Sequence, residues 1–247
     1  MTTSTIVIPC YNEADRLNVE TFRTYVEMHA AVRMLFVNDG SQDQTGAMLD
    51  ELAAGSERID ALHLEQNAGK AEAVRQGMLA ASTHDVDIIG FWDADLSTGL
   101  EEIEAFLNIF EERPEIEMVF GSRVNLLGRR VRRKLWRHYI GRFFATIAAW
   151  MLSLPIYDTQ CGAKMFRNTD EFRTILAAPF LSRWIFDVEL LARYIVSRRD
   201  TEQPQVEDIV FERPLMAWYD VAGSKLRPRD MFIVARDLSR IRRRCLR

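Results

Sequence analysis

The stretch GFWDADLST (residues 90–98) sets Asp93 and Asp95 two positions apart where the apolar run VDIIGFW gives out. The two carboxylates repel each other unless something positive lies between them. On a turn they can aim at one hard cation, and Mg²⁺ or Mn²⁺ is held by one or two carboxylates together with substrate phosphates. A solvated turn is the alternative. IPCYNEADRL (8–17) opens from a strand into a helix start, where Asn12 and Glu13 either hydrogen-bond a planar ring or a ribose or simply cap the helix. In FVNDGSQDQT (36–45), Asp39 ends a strand, and it either reaches a ribose hydroxyl or a base edge or shares a tight turn with Gly40. QNAGKAEAVRQG (66–77) places Gly69 for close backbone approach, with Lys70 in the first turn of a helix. The macrodipole disfavours a cation there unless an anion is near. The spacing is not that of a Walker A loop, and a solvated helix start accounts for it equally.

A further set follows in GSR (121–123), YDTQCGAKMFR (157–167) and RWIFDVELL (183–191). Arg123, Asp158, Gln160 and Lys164 are polar groups near turns, suited to a substrate edge or an acceptor. Trp184, Phe186, Leu190 and Leu191 read as core. Asp187 and Glu189 in that apolar context need partners.

These clusters must be carried by something rigid. TIVIP (5–9), RMLFVND (33–39), IDALHLE (59–65), VDIIGFW (86–92) and IEMVFGS (116–122) are short and rich in Ile, Val and Phe, as strands are. Between them, residues 19–32, 43–55, 69–82 and 99–113 carry apolar positions at helical spacing. Alternation of this kind predicts an α/β fold with a mostly parallel, Rossmann-like sheet flanked by helices, and ligands beyond the carboxyl ends of the strands. The later part reads as more helical: a basic amphipathic segment over 133–152, a buried helix over 182–198, a late strand in VEDIVFERP (206–214) and a basic helix over 227–243. With no internal repeat or low-complexity linker, the 247 residues are expected to form a single domain, its second half laid over the first.

Charge is segregated rather than large. The net charge is -4, yet no acid occurs between Glu117 and Asp158 while eight Lys and Arg do, and the stretch from Gly223 to Arg247 sets nine against Asp230 and Asp237. Such faces suit an anionic partner: nucleic acid, lipid head groups or phosphorylated substrates. Cys10, Cys161 and Cys245 show no metal-ligand spacing and point to a reducing compartment. No signal peptide is expected. The longest nearly apolar run, FFATIAAWMLSLPIY (143–157), is too short to span a bilayer.

The order PCYNE, VNDGSQDQT, NAGKAEAVRQG, DAD, GSR, DTQCGAKMF, RWIFDVELL and GSKL (223–226) resembles the family 2 inverting glycosyltransferases of the GT-A fold, within them the polyprenyl-phosphate sugar transferases of the dolichyl-phosphate β-glucosyltransferase type. The likeness covers about residues 4–240 and implies a division into a nucleotide-sugar half (1–120) and an acceptor half (121–247). It implies that Pro9, Tyr11, Asn12, Glu13, Asp39, Gly69 and Lys70 line the nucleotide-sugar pocket. Asp93 would border the ribose-diphosphate, Asp95 would be the main ligand of Mg²⁺ or Mn²⁺ with Asp93 beside it, and Arg123 would face the phosphates. Asp158, Thr159, Gln160 and Lys164 would sit at the sugar and acceptor. The sequence departs from the pattern at Asn38, where many relatives have Asp, at Ala71, where Gly is frequent, and at Ser97, where the mannose branch often has Gln.

The implied reaction moves a hexose, with a UDP-glucose type donor favoured, onto a polyprenyl phosphate such as dolichyl or undecaprenyl phosphate. A lipid phosphate needs no strong base. A saccharide or protein hydroxyl would, with Asp158 or Asp187 as candidates. The basic segment, with Trp136, Tyr139, Phe143, Phe144 and Trp150, suits an anionic membrane surface on the cytoplasmic side, against an ordinary helix pair with a solvated basic face. A non-enzymatic binding protein using the basic faces is a further alternative. RNA-type aromatic signatures are missing, so nucleic acid is not an expected partner.

Overall fold

A computed structural model describes residues 2–132, 135–219 and 230–246. Along the chain, β1 (Ser4–Cys10), α1 (Val19–Met28), β2 (Val32–Asn38), α2 (Thr45–Ala54), β3 (Ile59–His63), α3 (Lys70–Ala81) and β4 (Ile88–Trp92) keep the expected alternation. Then come α4 (Glu101–Glu112), β5 (Met118–Ser122), β6 (Arg130–Arg132), α5 (Leu135–Leu152), β7 (Ala163–Arg167) and α6 (Asp170–Ala177). The chain closes with α7 (Phe186–Arg198), α8 (Val206–Ile209), β8 (Val210–Pro214), β9 (Ala217–Tyr219) and α9 (Asp230–Cys245).

The elements form two compact units, Met1–Leu96 with Ala163–Pro179, and Ser97–Gly162 with Phe180–Arg247. In the first, the strands run β3-β2-β1-β4-β7. The pairs β1–β2, β1–β4 and β2–β3 are parallel. Ile6, Val7, Ile8, Phe36, Val37, Ile88, Ile89 and Trp92 are fully buried, which explains why these strands read as continuous apolar runs: helices cover both faces. Each such side chain withdrawn from water stabilises the unit by about 1.5–3 kcal/mol. The second unit holds the parallel pairs β5–β8 and β6–β9, with α4, α5, α7 and α9.

Several elements differ from expectation, each for a local reason. The helix expected over 19–32 ends at Met28, and Val32 already opens β2. VEDIVFERP divides into one helical turn, closed by a capping box between Gln205 and Asp208, and then β8. The strand β7 was not anticipated. It lies antiparallel to β4, with Phe91 opposite Lys164 and Trp92 opposite Ala163. Helix α6 follows at once, Thr169 accepting from the Phe172 amide at its N-terminus.

One buried cation ties this returning segment down. Arg75 on α3, 5% exposed, pairs with Glu72 (2.6 Å) and donates to the carbonyls of Leu176 (2.9 Å) and Ala177 (3.3 Å) at the end of α6. Arg75→Met strips those carbonyls and leaves the Glu72 carboxylate with Gln76 as its remaining donor, and should cost about 2–4 kcal/mol in thermal or urea unfolding. The hydrogen bond from Arg75, before that from Gln76, holds the Glu72 carboxyl below its ordinary 4.5. Its stabilisation is therefore present above that value and lost as pH falls through the lower folded value. Melts across the acid limb should accordingly show a shallower loss in Glu72→Gln than in wild type.

Candidate functional site

In the first unit the chain proceeds from β1 outward to β2 and β3, and β4 lies on the other side of β1. The carboxyl ends of β1 and β4 thus flank the point where strand order reverses, the usual ligand position in such sheets. Four loops leave that edge, and they are laced together. At the first, Asn12 (φ 52°) accepts from the Gln42 amide (2.9 Å) and donates its own amide to Ser41 (3.0 Å). Glu13 donates its amide to Thr45 (2.8 Å), and its carboxylate is forked by Arg16. Asn12 and Glu13 therefore join two loops. The cap of α1 is Asn18. Pro9 stands in β1 opposite Val37, and Tyr11 follows it half-buried at the loop start.

Asp39 is 3% exposed, and both its oxygens are engaged: Oδ1 accepts from the Ala68 amide (2.7 Å), Oδ2 from the Gly69 amide and the Asn67 side chain (both 2.9 Å). Gly40 (φ 63°) makes room for this, since a Cβ there would lie 2.5 Å from the Asn67 nitrogen. The loop so held turns at Gly69 (φ 95°) and delivers Lys70 as the first residue of α3. Lys70 pairs with Asp93 and lies 5.7 Å from the Phe91 ring centre. The anion that the macrodipole argument required beside Lys70 is thus Asp93. Asp93 and Asp95 are half-buried on either side of buried Ala94. The guanidinium of Arg16 is held above its ordinary range by its hydrogen bond to Glu13, and further by the charges of Glu13 and Asp95.

Among the described residues no three His, Cys, Asp or Glu side chains converge on a metal position. Asp93 and Asp95 are nevertheless hard oxygen donors of the kind Mg²⁺ or Mn²⁺ takes, with the remaining ligands from phosphate and water, although Lys70 pairs with Asp93 and would compete for it. Asn38 is also accounted for: its Oδ1 accepts from the Ser41 amide (3.0 Å) and its Nδ2 meets His63 Nδ1 (3.1 Å), whose other nitrogen lies 2.9 Å from Asp50. Cys10 offers no nucleophile, because burial and then Glu13 push its thiol far up.

The second unit gathers the rest. Arg123, just beyond β5, forks Asp158 through Nε (2.7 Å) and Nη2 (2.8 Å), while the amides of Arg123 and Gln160 reach the same carboxylate (both 3.1 Å). The Arg123 guanidinium lies 5.4 Å from the Trp218 ring centre. Gln160 donates to Asp187 (3.3 Å), which is 5% exposed in the first turn of α7, and Thr159 is 2% exposed. Glu189 finds its partners in Arg193 (2.7 Å) and the Leu181 amide (2.7 Å). Lys164 requires a correction. It is no turn residue but lies inside β7 of the first unit, fully buried, with Nζ 5.2 Å from the Phe91 ring centre. GSKL at 223–226 lies outside the described residues, as do the side chains of Trp136 and Tyr139.

Two carboxylates escaped the sequence reading. Glu212 on β8 accepts from the amides of Tyr157 (2.6 Å) and Asp158 (2.8 Å). Glu102, 3% exposed, accepts from Arg213 (3.1 Å) and the Met216 amide (2.6 Å). The signal available for Glu212 was an acid inside the strand-like run VFERP.

Residues 5–171 match the family described as Glycosyl transferase family 2. Over 250 residues the chain is 30% identical to a dolichyl-phosphate beta-glucosyltransferase of Trichomonas vaginalis, covering 96% of this chain and 70% of that one. It is 29% identical over 194 residues to the polyprenol monophosphomannose synthase of Mycolicibacterium smegmatis, covering 77% and 71%. Glucosyl-3-phosphoglycerate synthase of Mycobacterium tuberculosis, solved with Mn²⁺, UDP and glucosyl-3-phosphoglycerate, shares the fold with a TM-score of 0.66 at 16% identity, over 99% of this chain and 80% of that one. The α/β arrangement is the GT-A fold that the motifs led one to expect.

Asp39→Asn turns an amide NH₂ toward backbone donors that need an acceptor. It should lower stability by about 1–3 kcal/mol. Calorimetry is expected to show a fall in Tm of about 5 °C.

Proposed function

We propose, from the premise that this chain belongs to glycosyl transferase family 2 and is a glycosyltransferase, that it moves a hexose with inversion from a nucleoside-diphosphate sugar to a polyprenyl phosphate. The observation that carries the donor side is the junction of Lys70 with Asp93, beside Asp95, at the carboxyl edge of β1 and β4. Pro9, Tyr11, Asn12 and Glu13 border the nucleotide, with Asn12 and Glu13 acting through the loop they brace. Asp39 acts likewise, by fixing residues 67–69 and hence Gly69 and Lys70. Asp95, with Asp93 beside it, holds Mg²⁺ or Mn²⁺, which supplies positive charge to the departing diphosphate.

An acceptor phosphate oxygen forms the new bond to the anomeric carbon on the face opposite the leaving group, and the bonding pair of the broken C–O bond goes to the diphosphate. Lys70 adds positive charge to the donor's phosphates, and Arg123 to a phosphate on the acceptor side. An acceptor oxygen that is already anionic suits Asp158, whose oxygens accept four hydrogen bonds and would have to give up one of them to take a proton. Asp158, Thr159 and Gln160 border sugar and acceptor, with Asp187 orienting Gln160. A hydroxyl acceptor would ask more of these carboxylates. The relatives include glucose and mannose enzymes, and the glucose-type donor, UDP-glucose, is favoured by the greater likeness and by Ser97.

The whole chain is taken as a single glycosyltransferase domain, peripheral to the cytoplasmic face of a membrane. On α5 and α9, Phe143 (59% exposed), Trp150 (72%) and Phe232 (82%) offer apolar rings, and Arg242 lies 5.6 Å from the Trp150 ring centre. This pairing of aromatics and cations suits an anionic lipid interface. Arg142 is differently employed, donating to the Tyr157 carbonyl (2.9 Å). No helix among the described residues is long and apolar enough to cross a bilayer.

Asp95→Ala should reduce transfer by about 100-fold or more at saturating Mg²⁺ or Mn²⁺; wild-type turnover in that variant would sink the metal assignment. Purified enzyme is expected to glycosylate a short-chain polyprenyl phosphate in preference to a saccharide hydroxyl, and UDP-glucose should raise Tm more with Mn²⁺ than without. Sedimentation with vesicles containing anionic lipid should be weakened by the double change Trp150→Ala and Phe232→Ala, whereas unchanged binding would remove the membrane reading.

A further inference from the structure

Resting on the reading of Asp158 as an acceptor-side residue, we infer that Glu212 is a positioning residue that sets the Tyr157–Asp158 turn and, through it, the Arg123–Asp158 fork. Residues 157 and 158 present successive backbone N–H groups, a concavity that takes an anion. Here the anion is a side chain, each oxygen of the Glu212 carboxylate receiving one amide, at 2.6 and 2.8 Å. Arg142 grips the same turn from α5, its guanidinium 3.7 Å from the Tyr157 ring centre and 2.9 Å from the Tyr157 carbonyl. The two anchors of Asp158 come from one ladder. Arg123 follows β5, Glu212 stands in β8, and the parallel register sets Phe120 against Glu212 and Ser122 against Pro214.

Asp158 is thereby fixed at both ends, its carboxylate by Arg123 and its amide by Glu212. A carboxylate held only by its side chain could swing with the guanidinium. Held by the backbone as well, it keeps the guanidinium at one place and angle, and positional errors near 1 Å cost rate steeply. Glu212 acts through the turn and not on a reacting atom. Its effect should therefore fall on turnover, and the donor-side residues of the first unit should keep their affinity.

Glu212→Gln preserves length and shape but turns one acceptor into an NH₂ facing an amide. Hydrogen exchange at Tyr157 and Asp158 is expected to quicken by about tenfold or more. With the acceptor that gives turnover, kcat should fall by about tenfold while the nucleotide-sugar KM stays within about twofold. Arg142→Met, which removes the second grip, should move exchange and kcat in the same direction, and it serves if Glu212→Gln does not fold. Unchanged exchange at both amides, faster exchange with wild-type kcat, or a loss confined to Tm would each overturn the assignment. Failure of wild-type enzyme to use polyprenyl phosphate would instead remove the acceptor reading, since the exchange measurement does not depend on it.

Discussion

Strand β1 is hydrogen-bonded in parallel to β2 on one side and to β4 on the other. Parallel neighbours must finish at the same edge, so the loops after β1, β2 and β4 leave the sheet together whatever their sequences. Everything in the first unit that could do chemistry follows from that constraint. Asn12 and Glu13 can reach Ser41, Gln42 and Thr45 only because the two strand ends are adjacent. Lys70 can reach Asp93 because the loop after β3 is drawn in by Asp39.

Charge organises what the ladder brings together. Asp39 is buried yet compensated by three N–H donors, which suffices for a carboxylate that must not leave its place. Asp93 and Asp95 would oppose each other, but Lys70 pairs with the first and the charge of the second is felt by Arg16. The second unit repeats the device with different parts. There a guanidinium and a carboxylate lock each other, and a second carboxylate, Glu212, holds the backbone beneath them.

Much of this was legible beforehand. The parallel strands declared themselves as short Ile- and Val-rich runs, and the polar clusters fell at their ends, because burial on both faces leaves a strand little freedom of composition. Lys70 beside a missing anion was a correct question, and Asp93 is its answer. What could not be read were contacts between distant stretches. AKMFR shows no strand pattern of its own, and its lysine reads from sequence as a polar group near a turn, suited to a substrate edge or an acceptor, because nothing local shows that β7 buries it beside Phe91. Glu212 and Asp158 are far apart in the chain, and no periodicity links them. Arg142 belongs by sequence to the acid-free basic stretch between Glu117 and Asp158, yet its guanidinium lies against the Tyr157 ring and carbonyl.

The antiparallel strand β7 has a consequence for how the chain comes to be folded. Ile88 pairs with Arg167 and Trp92 with Ala163, so one side of β4 receives its partner only after the whole stretch from Ser97 to Gly162 has been made. The carbonyls that Arg75 needs arrive with the same late segment. During synthesis the first unit therefore waits with an open strand edge and an Arg75 guanidinium that has Glu72 but not yet its two carbonyl acceptors, a high-contact-order closure that is slow and prone to mispairing. A ribosome pausing anywhere in that interval would lengthen the exposure, and chaperones that shield strand edges would have most to do for this protein at that moment.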